Sequence, residues 1–183
     1  MRVISGAARG RKLKEPSGFD IRPTSDMVKE SIFNIIQFDV EGRRVLDLFA
    51  GTGQLGIEAL SRGARSVVFV DSSRNAVKLI KENLGLCGFS DAASVHARDA
   101  LSYLQSDEKF DLIFVDPPYD ARLIRKVLDR IIEFDKLNAN GIIICETKAD
   151  STETHVLPSC FSKREYRYGS VRISRIAKVE ETL

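Results

Sequence analysis

The sequence predicts an α/β fold: a doubly wound, mostly parallel sheet that ends in an antiparallel hairpin and is preceded by a short basic β-hairpin arm. Three observations carry this reading. From Arg44 onward, short apolar runs alternate with helix-length amphipathic segments, the βαβ pattern of a parallel sheet covered on both faces. A glycine-rich stretch, Gly51-x-Gly53-x-x-Gly56, joins the first of those runs to the helix that follows it. Near the C-terminus the pattern changes, and residues 161–168 and 171–177 flank Gly169-Ser170, a two-residue turn signal for a hairpin.

In chain order, Val3-Ile4 and Arg11-Lys12-Leu13 are strand-like, with Gly6 to Gly10 as the turn between them. A loop containing Pro16, Gly18 and Pro23 follows. Thr24 then reads as a helix N-cap, with Asp26 in the first turn to complement the helix dipole. Val28, Ile32, Ile35 and Ile36 recur at helical spacing and predict a helix over 25–37. The apolar runs at 45–49, 67–70, 112–115 and 142–145, with a weaker one at 94–97, are the sheet strands. Segments at about 55–62, 73–85, 99–105 and 121–134 are the helices between them.

The chain has 183 residues, about the size of one domain. It reads as a single domain over 1–183, in which 1–20 form the basic arm and 21–183 the catalytic core. At 43% hydrophobic and 30% charged residues, the composition excludes disorder and collagen-like repeats. No uncharged apolar run approaches the roughly 20 residues of a membrane span, and the first residues lack the apolar stretch of a signal peptide. A cytoplasmic protein with no membrane partner is expected. Cys87, Cys145 and Cys160 are scattered, and His96 and His155 lie far apart, so no metal site is expected.

The net charge of +2 hides an asymmetry. Residues 1–14 carry Arg2, Arg9, Arg11, Lys12 and Lys14 and no acid, and residues 163–178 carry six bases against Glu165 alone. The remainder holds 17 basic and 25 acidic residues, a net of −8. Basic ends around an acidic middle suggest a polyanion-binding surface separate from the main body.

The glycine stretch satisfies G-x-G-x-x-G in its strand–loop–helix context, and Asp71 lies 20 residues after Gly51, at the end of the next strand. That pattern points to a cofactor containing adenosine, with Asp71 accepting from its ribose hydroxyls. The surrounding acids choose among such cofactors. A pyrophosphate wants helix N-terminal N–H groups and no nearby carboxylate, yet Asp47, Asp99 and Asp116 all follow or end strands of the sheet. An acidic rim of this kind suits the sulfonium and ammonium of S-adenosylmethionine. Asp99 also fits a helix N-cap, whereas Asp47, inside its strand, is not expected to cap anything.

Asp116-Pro117-Pro118-Tyr119 directly follows the apolar strand 112–115. An exocyclic amine on a nucleobase is a poor nucleophile because its lone pair is conjugated into the ring. The Asp116 carboxylate and the Pro117 carbonyl can hold its two N–H groups and free the lone pair. The two prolines fix the backbone that aims the carbonyl, and Tyr119 can stack on the base. Both guanine N2 and adenine N6 satisfy those acceptors, so this element gives the reaction type and leaves the base open.

The segments 2–13 (RVISGAARGRKL), 21–36 (IRPTSDMVKESIFNII), 46–64 (LDLFAGTGQLGIEALSRGA) and 115–119 (VDPPY) together resemble one family. It is the RsmD-type group of Rossmann-like class I methyltransferases, guanine-N2 enzymes of 16S ribosomal RNA. The resemblance implies S-adenosylmethionine held by Asp47, Phe49, Ala50, Gly51, Thr52 and Gly53, with the ribose at Asp71 and the adenine near Ser72, Asp99 and Ala100. It places Arg22 and Thr24 near the methionine end of the cofactor. Its implied partner is 16S ribosomal RNA or the assembling small subunit, met by a monomer. The rivals are an N6-adenine methyltransferase of DNA or RNA, an NAD-dependent oxidoreductase and a non-catalytic nucleic-acid binder. The first normally needs a target-recognition domain, the second a Tyr-x-x-x-Lys or pocket His that is not found here, and the third has no use for the acidic rim with D-P-P-Y.

Overall fold

The computed structural model describes residues 1–15, 25–117, 121–151 and 157–179. Helix α1 (Asp26–Ile35) is followed by strand β1 (Arg44–Leu48), α2 (Gln54–Ser61), β2 (Ser66–Asp71), α3 (Arg74–Cys87), β3 (Ala93–Ala97), α4 (Ala100–Tyr103), β4 (Phe110–Val115), α5 (Ala121–Glu133), β5 (Leu137–Lys148), β6 (Phe161–Tyr168) and β7 (Val171–Lys178). The seven strands form one sheet in the order β3-β2-β1-β4-β5-β7-β6. The first five are parallel, and β7 and β6 are antiparallel additions at one edge. The doubly wound sheet closed by a hairpin is thus present, and among the described residues no helix is long and apolar enough to cross a membrane.

Strand alternation sends Val45, Val67, Phe69, Leu112, Phe114, Ile142 and Ile144 into a core under α1, α2 and α3. Leu46, Leu48, Val68, Val70, Ile113, Val115 and Ile143 enter a second core under α4 and α5. Central strands buried on both faces are apolar at nearly every position, with Asp47 of β1 a buried exception, which is why they read as near-continuous runs. The register then levels their ends: Leu48 lies opposite both Val70 and Val115, and Val115 opposite Cys145. The next residue of each strand, Asp71, Phe49, Asp116 and Glu146, therefore falls in one row at the carboxyl edge of the sheet.

The N-terminal arm is part of this body. Arg2 and Lys12 bridge as antiparallel partners, and Val3, Ala8 and Leu13 are buried in the first core. The fully buried Glu58 accepts the N–H groups of Ile4 (2.7 Å) and Ser5 (3.0 Å), and the Ser61 carbonyl and hydroxyl take those of Ala7 and Ala8. Gly6 makes this approach possible: with φ +79°, a Cβ there would sit 1.7 Å from the Ser61 carbonyl oxygen. Lys29, also fully buried, donates from Nζ to the Arg2 carbonyl and ties the arm to α1.

At the start of α1 the structure differs from the sequence reading. The N-cap is Ser25, whose hydroxyl accepts the Val28 N–H at 3.3 Å, while Thr24 lies outside the described residues. A Thr-Ser pair offers two adjacent cap candidates, and only the backbone decides which carries the extended conformation.

Candidate active site

Beyond Leu48 the backbone turns over through positive φ at Phe49 (62°), Gly51 (55°) and Gly53 (78°), conformations that glycine adopts freely and phenylalanine only with strain. Gly51 donates its N–H to Asp71 Oδ2 and Ser73 to Asp71 Oδ1, both at 2.8 Å. One carboxylate thus fastens the loops after β1 and β2 to each other. Asn83 of α3 holds the same loop from below, donating to the Thr52 carbonyl at 3.0 Å. Gly56 lets α2 lie against β2, since a Cβ there would be 2.2 Å from the Phe69 ring.

Asp47 is 2% exposed and accepts the Gly56 N–H at 2.9 Å. It therefore satisfies one of the orphan donors in the first turn of α2, a capping role the sequence reading did not assign to it. Burial, with the neighbouring charges of Asp116 and Asp71 adding to it against the Gly56 hydrogen bond, pushes its pKa up to about 7. Asp99 caps α4 by accepting the Ser102 N–H at 2.9 Å, in line with its sequence position.

A cleft of about 1520 Å³ opens over the carboxyl edge of the sheet. Phe49, Ala50, Gly51 and Thr52 line it from the glycine loop, while Gly53 sits behind them as the left-handed N-cap of α2. Asp71 and Ser72 enter from the end of β2, and Asp99 and Ala100 from the start of α4. Asp116 and Pro117 enter from the end of β4, and Asp47 closes the floor. The structure thus brings the glycine loop and the first half of D-P-P-Y into one cavity. Pro118, Tyr119, Arg22 and Thr24 lie outside the described residues.

Of the predicted RNA-binding bases, Lys14 alone lines the cleft. Lys14 pairs with Glu82 at 2.8 Å and Arg2 with Asp26 at 3.5 Å. Arg9, Arg11 and Lys12 are exposed and form no ion pair or side-chain hydrogen bond among the described residues. The arm's turn packs at Ser61, the last residue of α2, so Arg9, within that turn, lies toward the opposite end of α2 from the cleft.

Among the lining residues that escaped the sequence reading, two carry chemistry for the site. Glu146 follows the apolar run of β5 and lines the cleft beside Asp116; the signal for it is the strand register, which no linear pattern supplies. Gln54 is buried in the cleft wall, and its Oε1 has no hydrogen-bond partner among the described residues. A buried orphan acceptor calls for a donor from a ligand. Carboxylates, an orphan amide oxygen and glycines that leave the loop backbone open fit a ribose and an ammonium group. No cluster of three metal-ligating side chains occurs among the described residues.

Residues 1–176 match the protein family described as Conserved hypothetical protein 95. The chain belongs to this family. Within the Conserved hypothetical protein 95 family it is similar to YlbH of Bacillus subtilis, at 41% identity over 92% of this chain and 94% of that one. It is also similar to Ribosomal RNA small subunit methyltransferase D of Haemophilus influenzae, at 37% identity over 82% of this chain and 80% of that one. Among solved structures, yhhF from Escherichia coli superposes with a TM-score of 0.88 at 28% identity, covering 99% of each chain. The fold is that of the class I methyltransferases. An RNA methyltransferase from Salinibacter ruber, solved in complex with S-adenosyl-L-homocysteine, shares it at 16% identity with a TM-score of 0.68. The family resemblance read from the sequence is upheld, and with it the Rossmann-like fold.

Proposed function

We propose that this protein transfers a methyl group from S-adenosylmethionine to the exocyclic N2 amine of a guanine in 16S ribosomal RNA. Two kinds of support meet here. Relatives that span most of the chain carry the name Ribosomal RNA small subunit methyltransferase D. The observation that carries the chemistry is the placement of Asp116 and Pro117 in the same cleft as the glycine loop, one strand away from it.

Bound in this cleft, S-adenosylmethionine supplies an electrophilic methyl group on a sulfonium. Asp71 accepts ribose hydroxyls on lone pairs that Gly51 and Ser73 leave unused. The open backbone of Gly51 admits the nucleoside, Ala100 and Ser72 bound the adenine, and Asp47 and Asp116 set the negative potential that favours a cation. Gln54 Oε1 accepts from the ammonium. Arg22 and Thr24 complete the methionine end. On the other side of the cleft, the Asp116 carboxylate and the Pro117 carbonyl each accept one N–H of the target amine. They favour a tetrahedral nitrogen with its lone pair aimed along the line of attack. Asp116 Oδ then takes the proton that nitrogen loses, Pro118 stiffens the carbonyl's backbone and Tyr119 stacks on the base. Positioning and proton acceptance together are the whole of the protein's contribution. Arg2, Arg9, Arg11, Lys12 and Lys14 hold phosphates of the RNA outside the cleft.

The same row of acids disfavours the pyrophosphate of NAD. Nucleoside mass spectrometry of small-subunit RNA from cells with and without this protein tests the reading. N2-methylguanosine that disappears with the protein and returns with the wild-type chain, though not with Asp116→Ala, supports it. Asp116→Ala should lower turnover about a hundredfold while leaving S-adenosylhomocysteine affinity unchanged. Loss of N6-methyladenosine instead would replace guanine by adenine, and wild-type turnover in the variant would refute the mechanism.

A further inference from the structure

The bases of the second basic segment, residues 163–178, take no part in the site described above. Its geometry separates bases with work inside the fold from bases without it. On β7, Arg175 pairs with Asp39 at 3.3 Å, Lys178 with Asp135 at 2.6 Å, and Arg172 donates to the carbonyls of Ala149 and Ser151 at 2.7 and 2.6 Å. Glu165, the one acid of the segment, is taken up by Lys163 at 2.7 Å, Arg172 at 3.8 Å and the Ser174 hydroxyl at 3.3 Å. Arg164 and Arg167 remain. Both are exposed on β6, the edge strand of the sheet, and neither has an ion pair or side-chain hydrogen bond among the described residues.

The register makes their position unfavourable for the isolated protein. Arg164 lies directly opposite Arg175, and Arg167 directly opposite Arg172. Like charges in directly opposed positions destabilise a strand pair, and here the hairpin holds two such pairs within four residues of β6. Charged side chains also blunt an exposed sheet edge against aggregation, a role that Lys163 on the same strand already serves. An external polyanion removes the repulsion that this arrangement otherwise retains. The strand also leads to the right place. β6 runs parallel to β5 toward the carboxyl edge of the sheet, and Tyr168, Gly169 and Ser170 at its end line the cleft.

We infer that the edge strand β6 is a second RNA-binding element, along which Arg164 and Arg167, on opposite faces of the strand, hold phosphates of the RNA strand that leads to the target base. The inference rests on the RNA substrate proposed above. It assigns the surface to the opposite side of the cleft from the arm, which packs on α2 and α3 across the sheet from β6. The substrate is then held on both sides of the base to be modified.

The test is the salt dependence of binding to transcribed small-subunit ribosomal RNA, measured by filter binding with the full chain. Each phosphate contact contributes about 0.7 to 0.9 to the slope of log affinity against log salt. The double variant Arg164→Gln with Arg167→Gln should lose about 1.4 to 1.8 of that slope. Arg164→Lys with Arg167→Lys should keep it, because a lysine holds a phosphate as a point charge. S-adenosylhomocysteine binding should match wild type in both variants, while the unfolding midpoint should match it in the Lys variant and rise in the Gln variant, which removes the two like-charge pairs. Control changes at Arg125, exposed on α5, should leave the slope alone. A wild-type slope in the Gln variant overturns the inference, and more so if that variant self-associates, since the arginines would then be edge protection. Wild-type protein that binds S-adenosylhomocysteine but no RNA would instead overturn the proposed function and this surface with it.

Discussion

Replacing Asp47 with Asn isolates the electrostatic state of the cleft floor. The carboxyl is buried, shares its surroundings with Asp116 and Asp71, and has a pKa of about 7 in the folded protein against about 3.9 in an unfolded chain. Between those values the native state binds one proton more than the unfolded state, so stability falls as pH rises, by about 1.4 kcal/mol per pH unit. Over the three units from pH 4 to 7 this amounts to about 4 kcal/mol, all of it present below pH 4 and gone above pH 7. Asn keeps a carbonyl oxygen for the Gly56 N–H and cannot ionise. Other carboxylates titrate equally in the two proteins and cancel in the difference. Denaturant unfolding of wild type and Asp47→Asn at pH 4, 5, 6, 7 and 8 reads that difference. The variant should gain on wild type steadily from pH 4 to 7 and then run parallel to it. Parallel curves between pH 4 and 7 would show that Asp47 ionises normally, and the argument from burial and neighbouring charge would be wrong.

Asp71→Ala should weaken S-adenosylhomocysteine binding by about 2–4 kcal/mol, the loss of hydrogen bonds to a charged acceptor; calorimetric affinity within threefold of wild type would remove the ribose from Asp71. Gly56→Ala places a Cβ 2.2 Å from the Phe69 ring and should destabilise the fold by about 1–3 kcal/mol, seen as a thermal midpoint several degrees lower; an unchanged midpoint would mean that α2 does not rest on β2 as described. Changing Arg9, Arg11 and Lys12 together to Ala should reduce the salt slope of RNA binding by about 2 to 3 without moving the unfolding midpoint, because these side chains are exposed on an arm whose apolar side does the packing; an unchanged slope would make them ordinary surface bases.

Where the local pattern has one physical cause, the sequence is legible to within a residue or two. The apolar runs 45–49, 67–70 and 112–115 became β1, β2 and β4, because strands buried on both faces are apolar at nearly every position. The β6–β7 hairpin falls where Gly169 turns the chain with φ 57°. β5 extends well beyond 142–145, to Leu137–Lys148, since positions 146–148 gain their partners from β7 and Leu137, at the other end, pairs with Phe110 of β4. The 3₁₀ turn at Ser90–Ala92 was not foreseen. Tertiary placement was the harder part. Asp47 reads as a cofactor carboxylate from its position, and only the return of α2 over β1 shows that it also caps that helix. The arm reads as a detachable basic segment from its charge, but Val3, Ala8 and Leu13 bind it to the core. Glu146 needed the β4–β5 register to be seen at all.

On the proposed reading, the division of charge follows from the two tasks of the surface. Asp47, Asp71, Asp116 and Glu146 converge at the carboxyl edge of the sheet, where a phosphate is repelled and a cationic cofactor and a neutral base are not. Arg9, Arg11 and Lys12 on the arm, with Arg164 and Arg167 on β6, stand outside that edge without ion-pair partners among the described residues. A nucleotide delivered to this surface is driven to leave its phosphates on the flanks and to present only its base to the cleft. The charge pattern thereby enforces an orientation that the two acceptors at Asp116 and Pro117 require, since they can hold an amine only if the base enters edge first. A uniformly basic surface would bind RNA more tightly and lose that orientation, because backbone phosphates would compete for the cleft. Reversing part of the pattern, as in Glu146→Lys, should accordingly raise the affinity for RNA while lowering the methylation rate. A variant that gained both affinity and rate would show that the acids do not orient the substrate.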